Sequence, residues 1–282
     1  MEHKKIDLYS EFGLERDGAV SGTLTLYRHA DLTELSKKRL RPAMLVIPGG
    51  GYSMVSQREN EPIALAFYAQ GFDCFVLEYD VAPHSYPVQL LEAGMAMLWL
   101  RRNAKALSLI ENCIGVIGFS AGGHLAGCLS YLWEDAALRK AFGDECARIR
   151  PDATILSYPV ITADERYWHK GSFVNFCGKR ASFADYSLEK AVTPSAPPCF
   201  LWATSEDNDV PVQNSLLLYE ALLKAGVSVE MHLFEKGWHG LATADIEVNN
   251  ELYPFMSRVK EWIPLAVSFL QAHGFEVEVC PR

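Results

Sequence analysis

The residues best suited to chemistry are Gly118-Phe119-Ser120-Ala121-Gly122, a serine framed by glycines two positions to either side. That spacing suits a strained strand-to-helix bend with the hydroxyl turned outward, because a β-carbon at either glycine would collide with the neighbouring strand or helix. Ser120 then reads as a nucleophile for a carbonyl carbon. The helix that begins there directs its positive end and free N–H groups at the oxyanion formed. A hydroxyl needs a base and the base an orienting carboxylate, in the chain order Ser, Asp/Glu, His. Lys236-Gly237-Trp238-His239-Gly240 presents the base, His239, between glycines just after an apolar run. Glu206-Asp207-Asn208-Asp209 offers three acids just after another. Asp207 is favoured because Asp207-Asn208-Asp209-Val210-Pro211 sets it on the turn before a helix. Asp209 then reads as a solvated cap and Glu206 as the weaker alternative. Pro48-Gly49-Gly50-Gly51-Tyr52 follows a third apolar run, and its glycines let the backbone approach the oxyanion from the other side.

Other chemistries lack their residues. There is no His-Glu-x-x-His, no histidine pair at helical spacing and no close cysteine pair, so no metal is expected. The three glycines lack the Gly-Lys-Ser/Thr that holds phosphate and magnesium, and no cofactor is expected. His124, one helical turn beyond Ser120, reads as a buried hydrogen-bonding partner. His84 and His169 are either substrate contacts or ordinary loop histidines. Tyr52, Tyr86, Phe173 and Trp238 could stack on sugar rings or serve as packing.

These residues need a scaffold that brings distant loops together. Short apolar runs alternate with longer helical patterns, the signature of a mostly parallel sheet with helices on both faces. Strands are expected at Ser21 to Tyr27 (an edge strand), Ala43 to Ile47, Cys74 to Leu77, Ile114 to Ile117, Ala153 to Leu156, Cys199 to Thr204 and Val229 to Phe234. Helices are expected at about Pro62 to Gln70, Val88 to Asn103, Ser120 to Trp133 and Tyr253 to Ala272. Val160 to Pro198 breaks the rhythm: its 39 residues are aromatic-rich without sustained helical periodicity, and they read as a lid over the site. So short a segment could hardly build its own core, so residues 1–282 read as one domain with 160–198 inserted.

At 282 residues and 49% hydrophobic, the chain can bury roughly three-quarters of its unfolded surface in one large core. Its 26 basic and 35 acidic residues give a net charge of −9. That balance argues against nucleic acid and against a polybasic membrane patch. The short basic run Lys37-Lys38-Arg39 reads as a solvated loop. Seven cysteines, odd in number and none within four residues of another, read as free thiols. With no apolar stretch of signal-peptide or membrane-span length, they point to the cytoplasm.

Taken together, several motifs resemble one group of enzymes. Pro48 to Tyr52, Tyr79-Asp80-Val81-Ala82-Pro83-His84-Ser85-Tyr86-Pro87, Gly118 to His124, Asp207-x-x-Val-Pro and Gly237 to Gly240 look like the bacterial carboxylesterases related to acetyl xylan esterases. Ser157-Tyr158-Pro159-Val160-Ile161 and Gly171-Ser172-Phe173 extend the likeness, which runs from about Ala43 to His273. The resemblance implies an α/β-hydrolase fold with an eight-stranded sheet, Ser120, Asp207 and His239 as catalytic triad, and Gly50, Gly51 and Ala121 as oxyanion donors. It also implies a small-molecule ester substrate with a short acyl group, acetyl above all, on a carbohydrate such as acetylated xylose or a xylo-oligosaccharide; the same triad order also serves lipases, peptidases and aryl formamidases, and a non-catalytic binding protein on this fold is the further alternative. Tyr52, His84, Tyr86, Phe173 and Trp238 are the candidate substrate contacts, and a homo-oligomer is allowed. Pro48 stands where related esterases usually have histidine.

Overall fold

The computed structural model describes residues 1–16, 18 and 21–281. Its strands are β1 (Glu2–Asp7), β2 (Thr23–Arg28), β3 (Lys37–Ile47), β4 (Asp73–Glu78), β5 (Leu109–Phe119), β6 (Thr154–Ser157), β7 (Cys199–Thr204), β8 (Val229–Phe234) and β9 (Glu278–Pro281). Its helices are α1 (Leu8–Phe12), α2 (Glu61–Tyr68), α3 (Val88–Leu107), α4 (Ser120–Tyr131), α5 (Ala136–Phe142), α6 (Lys170–Cys177), α7 (Gln213–Lys224), α8 (Met256–Val259) and α9 (Trp262–Ala272).

Alternation along the apolar strands sorts their residues into two cores. Ala43, Leu45 and Ile47 of β3 face the same core as Phe75 and Leu77 of β4 and Leu201 of β7. Met44, Val46, Cys74, Val76, Phe200 and Trp202 face the opposite one. Helices α3, α4 and α7 close the first core through residues such as Leu98, Leu125 and Leu218. On the other side α2 and α9 close the second through Phe67, Trp262 and Phe269. Strands buried on both faces are what a parallel sheet produces.

The strand order is β1-β2-β4-β3-β5-β6-β7-β8, parallel from β4 to β8, with β1 and β2 antiparallel at one side. The expected mostly parallel sheet of eight strands is therefore present, and β9 adds a short antiparallel pairing with Lys37 to Leu40 of β3. Three expectations are corrected. The alternating strand around Thr23 is not an edge, because β1 pairs along its whole length outside it. Lys37-Lys38-Arg39 is not a loop but the start of β3, held by the ladder to β9. The C-terminal helix is divided into α8 and α9. Pro264 lies in the first turn of α9, where a missing N–H is tolerated, whereas deeper in a longer helix it would clash with the preceding turn.

The segment from Val160 to Pro198 contains α6 and two single 3-10 turns, at Phe183–Tyr186 and Leu188–Lys190. Phe173, Phe176 and Cys177 repeat at helical spacing on the buried face of α6, a period masked in sequence by the aromatics around it. At its start the His169 side chain accepts the Ser172 N–H, and Gly178 ends it at φ 54°. Val160, Ile161, Phe176 and Leu188 are part of the core beneath α3 and α4.

Candidate active site

Four loops meet at the carboxyl ends of the parallel strands β3, β5, β7 and β8, the end at which such sheets place their sites. Register brings them together. Ile47 pairs with Gly118, so the glycine loop after β3 starts beside Ser120. Thr204 pairs with Phe234, so the acidic loop after β7 starts beside the histidine loop after β8.

Ser120 sits on the bend between β5 and α4 at φ 52°, a left-handed conformation that costs a non-glycine residue on the order of 1–3 kcal/mol. Tight backbone contacts hold it there. A β-carbon at Gly118 would lie 2.3 Å from the Gly122 carbonyl oxygen, and one at Gly122 would lie 2.2 Å from the Ile47 carbonyl oxygen. Only glycine fits at either position.

The Ser120 hydroxyl is 2.7 Å from His239 Nε2, and His239 Nδ1 is 2.7 Å from Asp207 Oδ2. A carboxylate only accepts, so Nδ1 carries the proton and donates to Asp207, leaving Nε2 to accept from Ser120. The Asp207 side chain is 1% exposed, and its Oδ1 accepts the Asp209 and Val210 N–H groups at 3.0 and 2.9 Å. The two other acids take different places. Glu206 is exposed and reaches the Gly237 N–H at 3.4 Å. Asp209 is exposed on the cavity rim and does not cap the helix that follows, because Val212 holds the N-cap position of α7.

Gly50 and Gly51 border the same cavity as Ser120, with φ of 120° and 64°. Neither N–H donates to another described residue. Ala121 lies in the first turn of α4, where N–H groups have no intrahelical acceptor. Pro48, in place of the usual histidine, accepts the Tyr79 hydroxyl at its carbonyl, 2.7 Å away.

Glu59 was not singled out by the sequence. It is 3% exposed; its Oε2 accepts the Gly49 N–H at 2.8 Å and its Oε1 accepts the Tyr158 hydroxyl at 2.7 Å. The Tyr158 oxygen in turn accepts the Ala242 N–H at 3.1 Å, and its ring stands edge-on to His239 with centroids 5.0 Å apart. One carboxylate thus ties the glycine loop to the framework around the histidine. Burial, reinforced by Glu59, raises the Tyr158 hydroxyl well above its usual range and keeps it neutral.

The cavity above Ser120 is about 550 Å³ and is also lined by Met54, Arg58, His169 and Gly240. Burial, with the neighbouring His239 second, lowers the His169 pKa. The expected sugar contacts lie elsewhere. Tyr52 is fully buried, donating to His124 Nδ1 at 2.9 Å, and Phe173 packs edge-on to the same imidazole. Tyr86 donates to Asp135 at 2.9 Å, and the carbonyl of half-buried His84 accepts from Gln89. Trp238 is 41% exposed but borders an adjacent groove. His124 is the buried partner expected of it: Nε2 must donate to the Tyr186 carbonyl, so Nδ1 accepts from Tyr52, and burial lowers its pKa to about 4. Among the described residues no group of three or more His, Cys, Asp or Glu is placed to hold a metal ion, and no helix is long and apolar enough to cross a membrane.

Residues 99–261 match the prolyl oligopeptidase family, and residues 31–161 match the family described as BD-FAE. Endo-1,4-beta-xylanase B of Butyrivibrio fibrisolvens is 36% identical over 84% of this chain, and acetylxylan esterase of Xylanibacter ruminicola is 34% identical over 70%. The chain spans only 37% and 40% of those two proteins. The crystal structure of an acetyl ester-xyloside bifunctional hydrolase from Caldicellulosiruptor lactoaceticus is 35% identical, with TM-score 0.81 over 96% of this chain and 97% of that one.

Proposed function

This chain belongs to the acetylxylan-esterase-like α/β-hydrolases, and we propose that it is a serine carboxylesterase hydrolysing short acyl esters, acetyl foremost, on a carbohydrate such as acetylated xylose or a xylo-oligosaccharide. The observation that carries the chemistry is the unbroken relay from Asp207 through His239 to Ser120, two contacts of 2.7 Å beneath an open cavity. The names of the acetylxylan esterase and the acetyl ester-xyloside hydrolase support the substrate class.

In the proposed reaction His239 Nε2 takes the Ser120 proton as Oγ attacks the ester carbonyl. The N–H groups of Gly50, Gly51 and Ala121 hold the oxyanion, and Asp207 fixes the tautomer and stabilises the imidazolium. The tetrahedral intermediate collapses, and His239 returns the proton to the departing alcohol. Water activated by the same nitrogen then attacks the acyl-enzyme, releasing the acid and restoring Ser120. No cofactor enters. We further read residues 160–198 as a lid inserted in a single domain, since Asn175 of α6 donates to the Gly51 carbonyl at 2.8 Å and so holds the glycine loop from above. Seven free thiols support a cytoplasmic location.

The match to the prolyl oligopeptidase family favours one second reading, an amide substrate for the same serine. A panel of p-nitrophenyl esters from acetate to palmitate, acetylated xylose and a proline-containing anilide separates the two. The ester reading expects highest kcat/KM on acetate and release of acetate from the sugar; activity confined to the anilide or to long chains would overturn it.

A further inference from the structure

A second groove, about 540 Å³, opens beside the Ser120 cavity. Arg58 borders both, so one guanidinium stands at their junction. The groove is lined by Trp238 and Tyr253, 41% and 43% exposed, and by Asn249, Asn250 and Glu251. The two rings are perpendicular, with centroids 5.1 Å apart, and Phe255 backs Trp238 at 5.3 Å. Trp238 immediately precedes His239 in the loop after β8.

We propose that this groove is a second carbohydrate subsite, taking the pyranose unit next to the acetylated one. The proposal rests on the sugar-ester reading above. An aromatic ring left exposed in a groove offers an apolar face to the C–H face of a pyranose, while ring hydroxyls need donors and acceptors around the rim. Both are present here: the Asn250 amide and the Arg58 guanidinium donate, and the Glu251 carboxylate accepts, already receiving the Tyr253 hydroxyl at 3.1 Å. Arg58 is exposed at the edge of both cavities, where its guanidinium can donate to a ligand bridging them. A long acyl chain is the wrong occupant, because it would desolvate Arg58, Asn250 and Glu251 without pairing them. Xylo-oligosaccharides two or three units long therefore fit better than a single xylose.

The test compares kcat/KM on acetylated xylose, xylobiose and xylotriose, each divided by the value on p-nitrophenyl acetate, in the wild type, Tyr253→Ala and Asn250→Ala. The expected result is a rise from xylose to xylobiose in the wild type that falls roughly three- to tenfold in Tyr253→Ala. An equal ratio for all three sugars with acetate still released would overturn the subsite and leave the esterase reading standing. No release from any sugar, with p-nitrophenyl acetate still cleaved, would remove the sugar-ester reading. Saturation-transfer NMR with unacetylated xylotriose tests the groove apart from catalysis. Binding weakened in Tyr253→Ala supports it, and absent or unchanged binding refutes it.

Discussion

Replacing Glu59 by alanine should loosen the glycine loop and lower both stability and turnover. The side chain is 3% exposed and accepts two hydrogen bonds, from Gly49 at 2.8 Å and from Tyr158 at 2.7 Å. Hydrogen bonds to a charged group contribute about 1.5–3 kcal/mol each, so two give about 3–6 kcal/mol. Deletion also relieves the cost of a buried carboxylate, which favours the lower end, about 3 kcal/mol. With its anchor gone, Gly49 no longer fixes the N–H groups of Gly50 and Gly51. Loss of one oxyanion donor costs about 10²–10³ in kcat, and a loosened loop should approach about 10² with a smaller change in KM. Glu59→Gln retains an acceptor for the Gly49 N–H but turns its NH₂ toward the Tyr158 oxygen, so it should recover about half of the stability loss and part of kcat. Urea unfolding and p-nitrophenyl acetate kinetics on the three proteins measure both quantities. Wild-type kcat in Glu59→Ala, or no difference between alanine and glutamine, would refute the idea that this carboxylate positions the loop.

Asp207→Asn should reduce kcat by about 10⁴ by allowing the wrong His239 tautomer, whereas Glu206→Gln, altered on an exposed side chain, should change it by less than about threefold. Steady-state kinetics decide, and a larger loss in Glu206→Gln would move the role of the acid. Glu92 gives a pH signature: its Oε1 accepts from Tyr9, its Oε2 from the Asp80 N–H, and burial, with the Asp80 charge adding, raises its pKa from 4.5 to about 8. The folded state then holds a proton that the unfolded state releases, so this group's stability is full below pH 4.5, falls as pH rises, and is lost above about 8. Relative to Glu92→Gln, the wild type should lose up to about 5 kcal/mol across that window. A stability difference that stays flat between pH 5 and 9 in urea titrations counts against a protonated Glu92.

Strands bounded by turn residues were legible to the residue. Cys199–Thr204, between Pro198 and Ser205, and Val229–Phe234, between Ser228 and Glu235, are apolar-rich runs, and both fall where their pattern places them. β1 and β9 were not, because an outer strand needs no apolar run: Glu2 to Asp7 buries only Ile6 and is held by its backbone ladder and by Lys5 against Glu78. The same contrast holds at the site. Ser120, Asp207 and His239 carry local signals, a glycine-framed bend and two loops after strands, and the three lie within hydrogen-bond reach of one another. Glu59 and Tyr158 carry none, since their pairing spans 99 positions and exists only after folding. Tyr52 and Phe173 looked like sugar platforms because composition says nothing about which way a ring faces, and here both face inward against His124.

The proposed nucleophile is Ser120. Incubating folded protein with a fluorophosphonate and mapping the adduct by mass spectrometry tests it directly, with Ser120→Ala alongside. One stoichiometric adduct on Ser120 is expected, abolished in Ser120→Ala together with esterase activity. An adduct on another residue, or hydrolysis that persists undiminished in Ser120→Ala, would contradict it.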